Sequence, residues 1–266
     1  MKLSCQEGLV PGAIFHEKLT KLESWGYDGV ELHGRELPTR LDEVKAALAD
    51  SPVQASTICS GFPSQFTNPD RAQREEAVTA VRALLHCASD VGAVGVIFVP
   101  LFGSAQVPDL APLTTVEQLQ RDLLVAVTRP LAREAADLGV CLLLEPLNRY
   151  EAQFPVDLAE GVAICAEVDS PGLRLMGDFF HMSIEEAEIG PSLTAAAPYL
   201  RHIHLADSNR YTPGRGHTDF VGPFRALRQI AYDGYGALEC RVPDPASESL
   251  PAAARYVREC WSAAGR

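Results

Sequence analysis

Eight short apolar, β-rich runs recur along the chain, at residues 2–5, 29–32, 54–59, 94–100, 140–145, 173–178, 202–206 and 237–240. Each is followed by a polar loop and then by a helical pattern. The runs are continuously apolar rather than alternating, as expected of strands buried on both faces of a parallel sheet. Residues 16–26 read as a helix stopped by Tyr27-Asp28-Gly29. Asn68-Pro69 opens a long helix with Val78, Val81, Leu85 and Ala88 on one face, and Gly92 closes it. Further helices are expected over 115–138, 158–168, 183–188, 224–231 and 249–263. Strand and helix alternating through short connections imply βα units. Eight such units favour a closed, parallel eight-stranded (β/α)₈ TIM barrel over an open doubly wound sheet. No GxGxxG follows the first run, which removes the main support for a dinucleotide-binding fold.

The length of 266 residues fits one barrel of roughly 250 residues. No Gly/Ser linker, low-complexity tract or charge block divides the sequence, so residues 1–266 are read as a single TIM-barrel domain. With 47% hydrophobic and 22% charged residues the chain falls among ordinary globular proteins and can bury a large core without staples. Asp and Glu (35) outnumber Lys and Arg (23), giving a formal charge of −12. Such a surface repels phosphate backbones and anionic lipids, which argues against nucleic-acid or membrane partners. It leaves room for a small anionic substrate, since a few arginines reverse the sign inside one pocket. Seven scattered cysteines without a CxxC pair read as reduced thiols, and the N-terminus lacks the apolar run of a signal peptide. A cytoplasmic protein is therefore expected.

In a (β/α)₈ barrel the active site lies at the C-terminal ends of the strands. The second run ends with Glu31 and His33, the fifth with Glu145, the sixth with Asp178 and then His181, and the eighth with Glu239; the seventh carries His202 and His204. Glu145, Asp178, His204 and Glu239 thus come from four consecutive strands. Three carboxylates and an imidazole facing one axis repel or lose hydration unless a cation sits among them. O₃N ligation with open positions suits Mn²⁺, Mg²⁺, Co²⁺ or Zn²⁺, and the ligand set alone does not choose. We expect one divalent ion per chain, with Mn²⁺ first. The blander expectations are that Glu145 pairs with Arg149 and that Asp178 caps a helix starting near Ser183. His202 is placed a layer deeper, as a satisfied core histidine. Glu31 and His33 share a face, and both are candidates to line the pocket.

At these residues the sequence resembles the xylose-isomerase-like TIM-barrel superfamily, and within it the D-tagatose/D-psicose (ketose) 3-epimerases. The resemblance is carried by Leu144-Glu145-Pro146-Leu147-Asn148-Arg149-Tyr150-Glu151, by Gly177-Asp178-Phe179-Phe180-His181, by His202-Ile203-His204-Leu205-Ala206-Asp207-Ser208-Asn209-Arg210, by Pro213-Gly214-Arg215-Gly216-His217 and by Leu238-Glu239. It is strong over runs five to eight and rests on strand rhythm before them. The Glu-Pro-Leu-Asn-Arg-Tyr-Glu and His-Leu-Ala-Asp-Ser-Asn-Arg versions also look like the branch acting on keto-sugar acids, of the 5-keto-L-gluconate epimerase type. The resemblance implies that Glu145, Asp178, His204 and Glu239 are metal ligands and that Glu145 and Glu239 are also the paired acid/base carboxylates. It implies that His181 and Arg210 hold the carbonyl end of the substrate, that Glu151 contacts it, and that the chain assembles as a homodimer or homotetramer.

The implied activity is epimerisation or isomerisation of a keto-sugar or keto-sugar acid through an enediolate. A bound cation stabilises that species by several kcal/mol. A positioned carboxylate contributes roughly 10²–10⁴-fold as general base. Arg210, Arg215 and Arg241 are candidates to meet a carboxylate or phosphate on the substrate. An inosose-type isomerase or dehydratase is the nearest competing reading. An endonuclease IV-like hydrolase stands further off: the fourth run ends Val99-Pro100-Leu101-Phe102, without the histidine such a site adds. A non-catalytic sugar-binding relative would tolerate loss of Glu145 or Glu239, and both are present.

Overall fold

Residues 1–59, 61–243 and 245–266 are described by a computed structural model. Eight parallel strands close into a barrel in sequence order. They are β1 Lys2–Gln6, β2 Gly29–His33, β3 Gln54–Cys59, β4 Gly95–Phe98, β5 Cys141–Leu144, β6 Leu173–Asp178, β7 Leu200–Leu205 and β8 Tyr235–Leu238. Pairing of β1 with β8, through Lys2 opposite Tyr235 and Cys5 opposite Leu238, completes the ring. Helices alternate with the strands: α1 Phe15–Ser24, α2 Leu37–Ala49, α3 Arg71–Val91, α4 Val116–Asp137, α5 Leu158–Val168, α6 Phe179–Glu185, α7 Ile189–Ala195, α8 Val221–Gln229 and α9 Ala246–Ala263.

The helix ends follow local chemistry. Asp70, Thr115 and Asp157 cap α3, α4 and α5 by accepting the N–H of Ala72, Gln118 and Glu160. Gly92 closes α3 in the left-handed region, at φ 72°. Two helices escape the sequence pattern. α2 is broken at Arg40, which blurs its periodicity, and α7 is one short piece with Gly190 and Pro191 inside it. The helix expected over 183–188 instead begins at Phe179, directly on the end of β6.

Apolar side chains from both sheet and helices form the main core, including Leu3, Val30, Leu32, Val96, Leu142 and Leu175 from the strands with Leu19, Val81, Leu85, Leu131 and Phe224 from the helices. A separate small cluster of Cys59, Ile97, Leu143 and Met176 comes from β3 to β6. The β1, β2 and β7 side carries buried polar groups instead: Ser4, Glu31, His202 and His204, together with Ser56 and Thr57 of β3. Among the described residues no helix is long and apolar enough to cross a membrane.

Candidate active site

Short strands deliver the charged groups to the barrel mouth. Glu145 and Glu239 each stand one residue past their strands, Asp178 is the last residue of β6, and His204 is the penultimate residue of β7. One donor atom from each of these four residues lies within 4.8 Å of the other three. His204 Nδ1 is 3.0 Å from Glu239 Oε2 and 3.6 Å from both Glu145 Oε1 and Asp178 Oδ2. Despite that crowding, His204 Nδ1 and Glu145 Oε1 are buried and make no hydrogen bond. A buried acceptor left without a partner costs about 1–3 kcal/mol.

That pattern fits a cation. Ligands about 2.1 Å from a shared ion lie about 3.0–3.4 Å from one another, off the hydrogen-bonding axis of an imidazole. The donor set is hard oxygen plus one nitrogen, suited to the divalent ions considered above. Burial raises the Glu145 carboxyl, with Glu239 adding to it and His204 opposing. At Asp178 burial is outweighed by Arg210, His181 and His204 acting together, which hold that carboxyl well below the usual range. Glu239 is lowered too, because His204 and Arg210 outweigh its burial. Burial alone would lower the His204 imidazole, but Glu31 and Glu239 raise it well above the ordinary histidine value.

Arg210 donates from Nη1 to Asp178 Oδ2 at 2.5 Å and from Nη2 to Glu239 Oε2, and its guanidinium lies 4.8 Å from the centre of the Phe180 ring. Its backbone sits at φ 63°, a conformation that non-glycine residues rarely adopt. Hydrogen bonds from Arg210 N–H to Asp207 O and from Arg241 N–H to Arg210 O hold it there. Asp207 in turn gathers the N–H groups of Ser208, Gly214 and Thr218. A Cβ on Gly216 would stand 2.4 Å from Asp207 Oδ1, so the loop closes on this carboxylate only with glycine there.

Both blander expectations are resolved. Arg149 is clamped on Glu185, with Nη2 to Oε2 at 2.7 Å, rather than on Glu145. Asp178 does cap a helix, but it is α6: Oδ1 accepts the N–H of Phe180 at 2.7 Å and of His181 at 3.3 Å. One carboxylate therefore serves the helix through Oδ1 and faces the cluster through Oδ2.

A cavity of about 220 Å³ opens above the cluster. Glu145, Glu151, His181, Arg210 and Glu239 line it, together with Ser64 and apolar side chains including Phe62, Ile97, Val99, Phe102 and Leu147. His181 Nδ1 accepts from the Asn148 side-chain amide at 2.6 Å and from its backbone N–H at 3.2 Å. The ring proton is therefore on Nε2. The same amide donates to Glu151 Oε1 at 3.1 Å. Arg215 and Arg241 are exposed and do not line the cavity. His33 is exposed beside a smaller hollow formed with Gln6, Glu7 and Glu31.

Glu31, Cys59 and His204 form a second cluster of ligand-type atoms. Its chemistry differs from the first. Both Glu31 oxygens are already occupied, Oε1 by Gln6 and His204 and Oε2 by Thr57, His202 and His204. Burial, Glu31 and Glu239 push the Cys59 thiol well up, which disfavours the ligating thiolate. His202, fully buried, bonds Glu31 through Nε2 at 3.0 Å. Gln6 and Asn148 thus touch candidate ligands or cavity residues, and Thr57 touches Glu31, with no sequence signal for these contacts. Neutral amides and a hydroxyl carry no charge signal, and for Glu31 the sequence points to the pocket rather than to His204.

The xylose isomerase-like TIM barrel family matches residues 19–260. The 3-dehydro-D-guloside 4-epimerase of Escherichia coli K12 is 32% identical over 98% of this chain and all of its own length. The D-psicose 3-epimerase of Ruminiclostridium cellulolyticum is 39% identical over 43% of this chain and 39% of its own. Among solved structures, an E. coli 3-keto-D-glucoside 4-epimerase superposes with a TM-score of 0.89 at 29% identity, covering 98% of this chain and all of that one. A D-psicose 3-epimerase from Clostridium cellulolyticum, at 23% identity, shares the fold with a TM-score of 0.83 over 98% and 99% of the two chains. The barrel, the family match and full-length similarity to a sugar epimerase place this chain in the xylose isomerase-like TIM-barrel family, alongside its keto-sugar epimerases.

Proposed function

We propose that the chain is a divalent-metal-dependent epimerase that inverts the carbon next to the carbonyl of a neutral keto-sugar. The observation that carries this reading is the convergence of Glu145, Asp178, His204 and Glu239 within 4.8 Å, with Glu145 Oε1 and His204 Nδ1 buried and unpartnered. The similar proteins act at different carbons, C4 of a 3-dehydro sugar and C3 of a ketose, and both are adjacent to a ketone.

Glu145, Asp178, His204 and Glu239 would hold the ion, which when bound polarises the substrate carbonyl as a Lewis acid. One of the two glutamates takes the proton from the carbon beside the carbonyl, and the electron pair moves onto the carbonyl oxygen. The other glutamate returns a proton to the opposite face of the planar enediolate. One C–H bond breaks, one forms, and nothing is oxidised or reduced. β5 and β8 are three strands apart in the ring, so their glutamates approach a bound sugar from different sides. His181 donates from Nε2 and Arg210 from its guanidinium to the oxygen that gains charge.

The lining of the cavity supports a neutral substrate. Arg210 is the one arginine lining it among the described residues, no lysine does so, and Arg210 is assigned to the carbonyl end. Beyond Glu145, Glu151, His181 and Glu239, the remaining lining, Ser64 apart, is apolar or a thiol. A phosphate or carboxylate remote from the carbonyl would find no second cationic side chain in that lining, at considerable cost.

The test is deuterium incorporation from D₂O into a panel of neutral ketoses, 3-keto-glycosides, keto-acids and ketose phosphates with Mn²⁺ supplied. Label at the inverted carbon of a neutral keto-sugar is expected. Absence of exchange in every neutral sugar by metal-replete protein overturns the reading.

A further inference from the structure

We propose that Glu31 is the positioning residue of the centre: it aims His204 directly and Glu239 through Gln6. The inference rests on the metal-dependent reading above and extends it to a residue that neither lines the cavity above the cluster nor belongs to the four-residue cluster.

Glu31 lies on β2 and is 1% exposed. Its carboxylate reaches His204 on β7, a strand with which β2 does not pair. His204 Nε2 lies 3.1 Å from both Glu31 oxygens. An ionised carboxylate only accepts hydrogen bonds, so the nitrogen facing it must carry the hydrogen. With an ion in place of the second ring proton, the imidazole presents its lone pair from Nδ1, the atom surrounded by Glu145, Asp178 and Glu239. Ligating histidines are commonly held by a carboxylate on the second ring nitrogen in this way.

The second arm runs through Gln6, at the end of β1. Its side-chain nitrogen donates to Glu31 Oε1 at 3.0 Å and to Glu239 Oε1 at 2.9 Å, using both amide hydrogens. The Cys59 thiol points to the same Glu239 oxygen at 3.8 Å. With Oε1 tied back, Oε2 is the Glu239 oxygen left facing His204 Nδ1, 3.0 Å away. Thr57 Oγ1 at 2.5 Å and His202 Nε2 at 3.0 Å fix Glu31 itself from the other side. One buried acid thus sets the orientation of ligands from two neighbouring strands.

A merely structural carboxylate, there to neutralise two buried histidines, would affect the stability of the metal-free protein and nothing else. The experiment therefore compares Mn²⁺ affinity by calorimetry, the Mn²⁺ electron paramagnetic resonance spectrum and the metal-free melting temperature in wild type, Glu31→Gln and Gln6→Ala. Glutamine at 31 offers one acceptor and one donor group and no longer enforces the His204 tautomer. We expect it to weaken Mn²⁺ binding about 10–100-fold. Gln6→Ala, at a half-buried position, frees Glu239 and should weaken binding several-fold with an altered spectrum. Wild-type affinity and spectrum in folded Glu31→Gln, or in Gln6→Ala should the first variant fail to fold, overturn the positioning role alone. A wild-type chain that binds no Mn²⁺ overturns the metal-dependent reading and this inference with it.

Discussion

The side-chain nitrogen of Asn148 lies 2.6 Å from Nδ1 of His181, and it also reaches Glu151 Oε1 at 3.1 Å. A neutral amide thereby orders two residues that line the cavity, and it decides which nitrogen of His181 faces the substrate. Asn148→Ala removes the donor without touching the metal cluster. We expect turnover to fall about 10–100-fold while Mn²⁺ affinity stays within about two-fold of wild type. Steady-state kinetics beside metal titration check this, and equal losses in both would show that Asn148 supports the ligands instead.

Metal binding should be visible in stability as well as in activity. An ion that binds only the folded chain stabilises it by about 2.7 kcal/mol at one hundred times its dissociation constant. For a chain of this size that is a rise of roughly 5–10 °C in melting temperature. Thermal scans with Mn²⁺ and after exhaustive chelation provide the comparison. Identical curves, with activity retained in chelator, would remove the ion from the account.

Asp207 gives the loop after β7 a defined acid sensitivity. Burial would raise its carboxyl, but the N–H groups of Thr218, Gly216 and Ser208 outweigh that and hold it below the ordinary aspartate value. A depressed folded value means that the stabilisation is complete above the unfolded value, about 4, and is lost as pH falls through the folded one. Melting temperature should therefore drop below about pH 4 more steeply in wild type than in Asp207→Asn. At neutral pH that variant should lose about 1–3 kcal/mol, because the loop N–H groups lose their charged acceptor. Arg210 depends on this loop for its φ of 63°, so activity should decline with it. Superimposable pH profiles would free the loop from Asp207.

How far the sequence alone reaches depends on what each residue must signal. The barrel was legible because a strand buried on both faces is apolar without interruption, as in Leu142-Leu143-Leu144, and because a charge directly after such a run stands out, as Glu145 does. α7 was not, since seven residues containing Gly190 and Pro191 have too few turns to show a period. Strand limits were blurred at β7, which starts at Leu200 through an exposed Arg201. The support around the cluster was hidden for a different reason. Gln6, Thr57 and Asn148 are ordinary polar residues whose roles arise from partners up to 233 positions away, and no local pattern encodes that distance.

The two glutamates can be told apart by what each half-reaction retains. Gln in place of Glu145 or Glu239 keeps a neutral oxygen for the ion but cannot accept a carbon-bound proton. Either substitution should slow net epimerisation about 10²–10⁴-fold. The exchange of substrate hydrogen with solvent should divide differently. Each epimer offers its hydrogen to one face, so each variant should still wash deuterium into the epimer that the surviving glutamate addresses and leave the other unlabelled. Mirror-image labelling in Glu145→Gln and Glu239→Gln, read by proton magnetic resonance in D₂O, would assign one glutamate to each face. Loss of exchange from both epimers in just one of the variants would mean that a single glutamate shuttles the proton and that the other serves only to hold the ion.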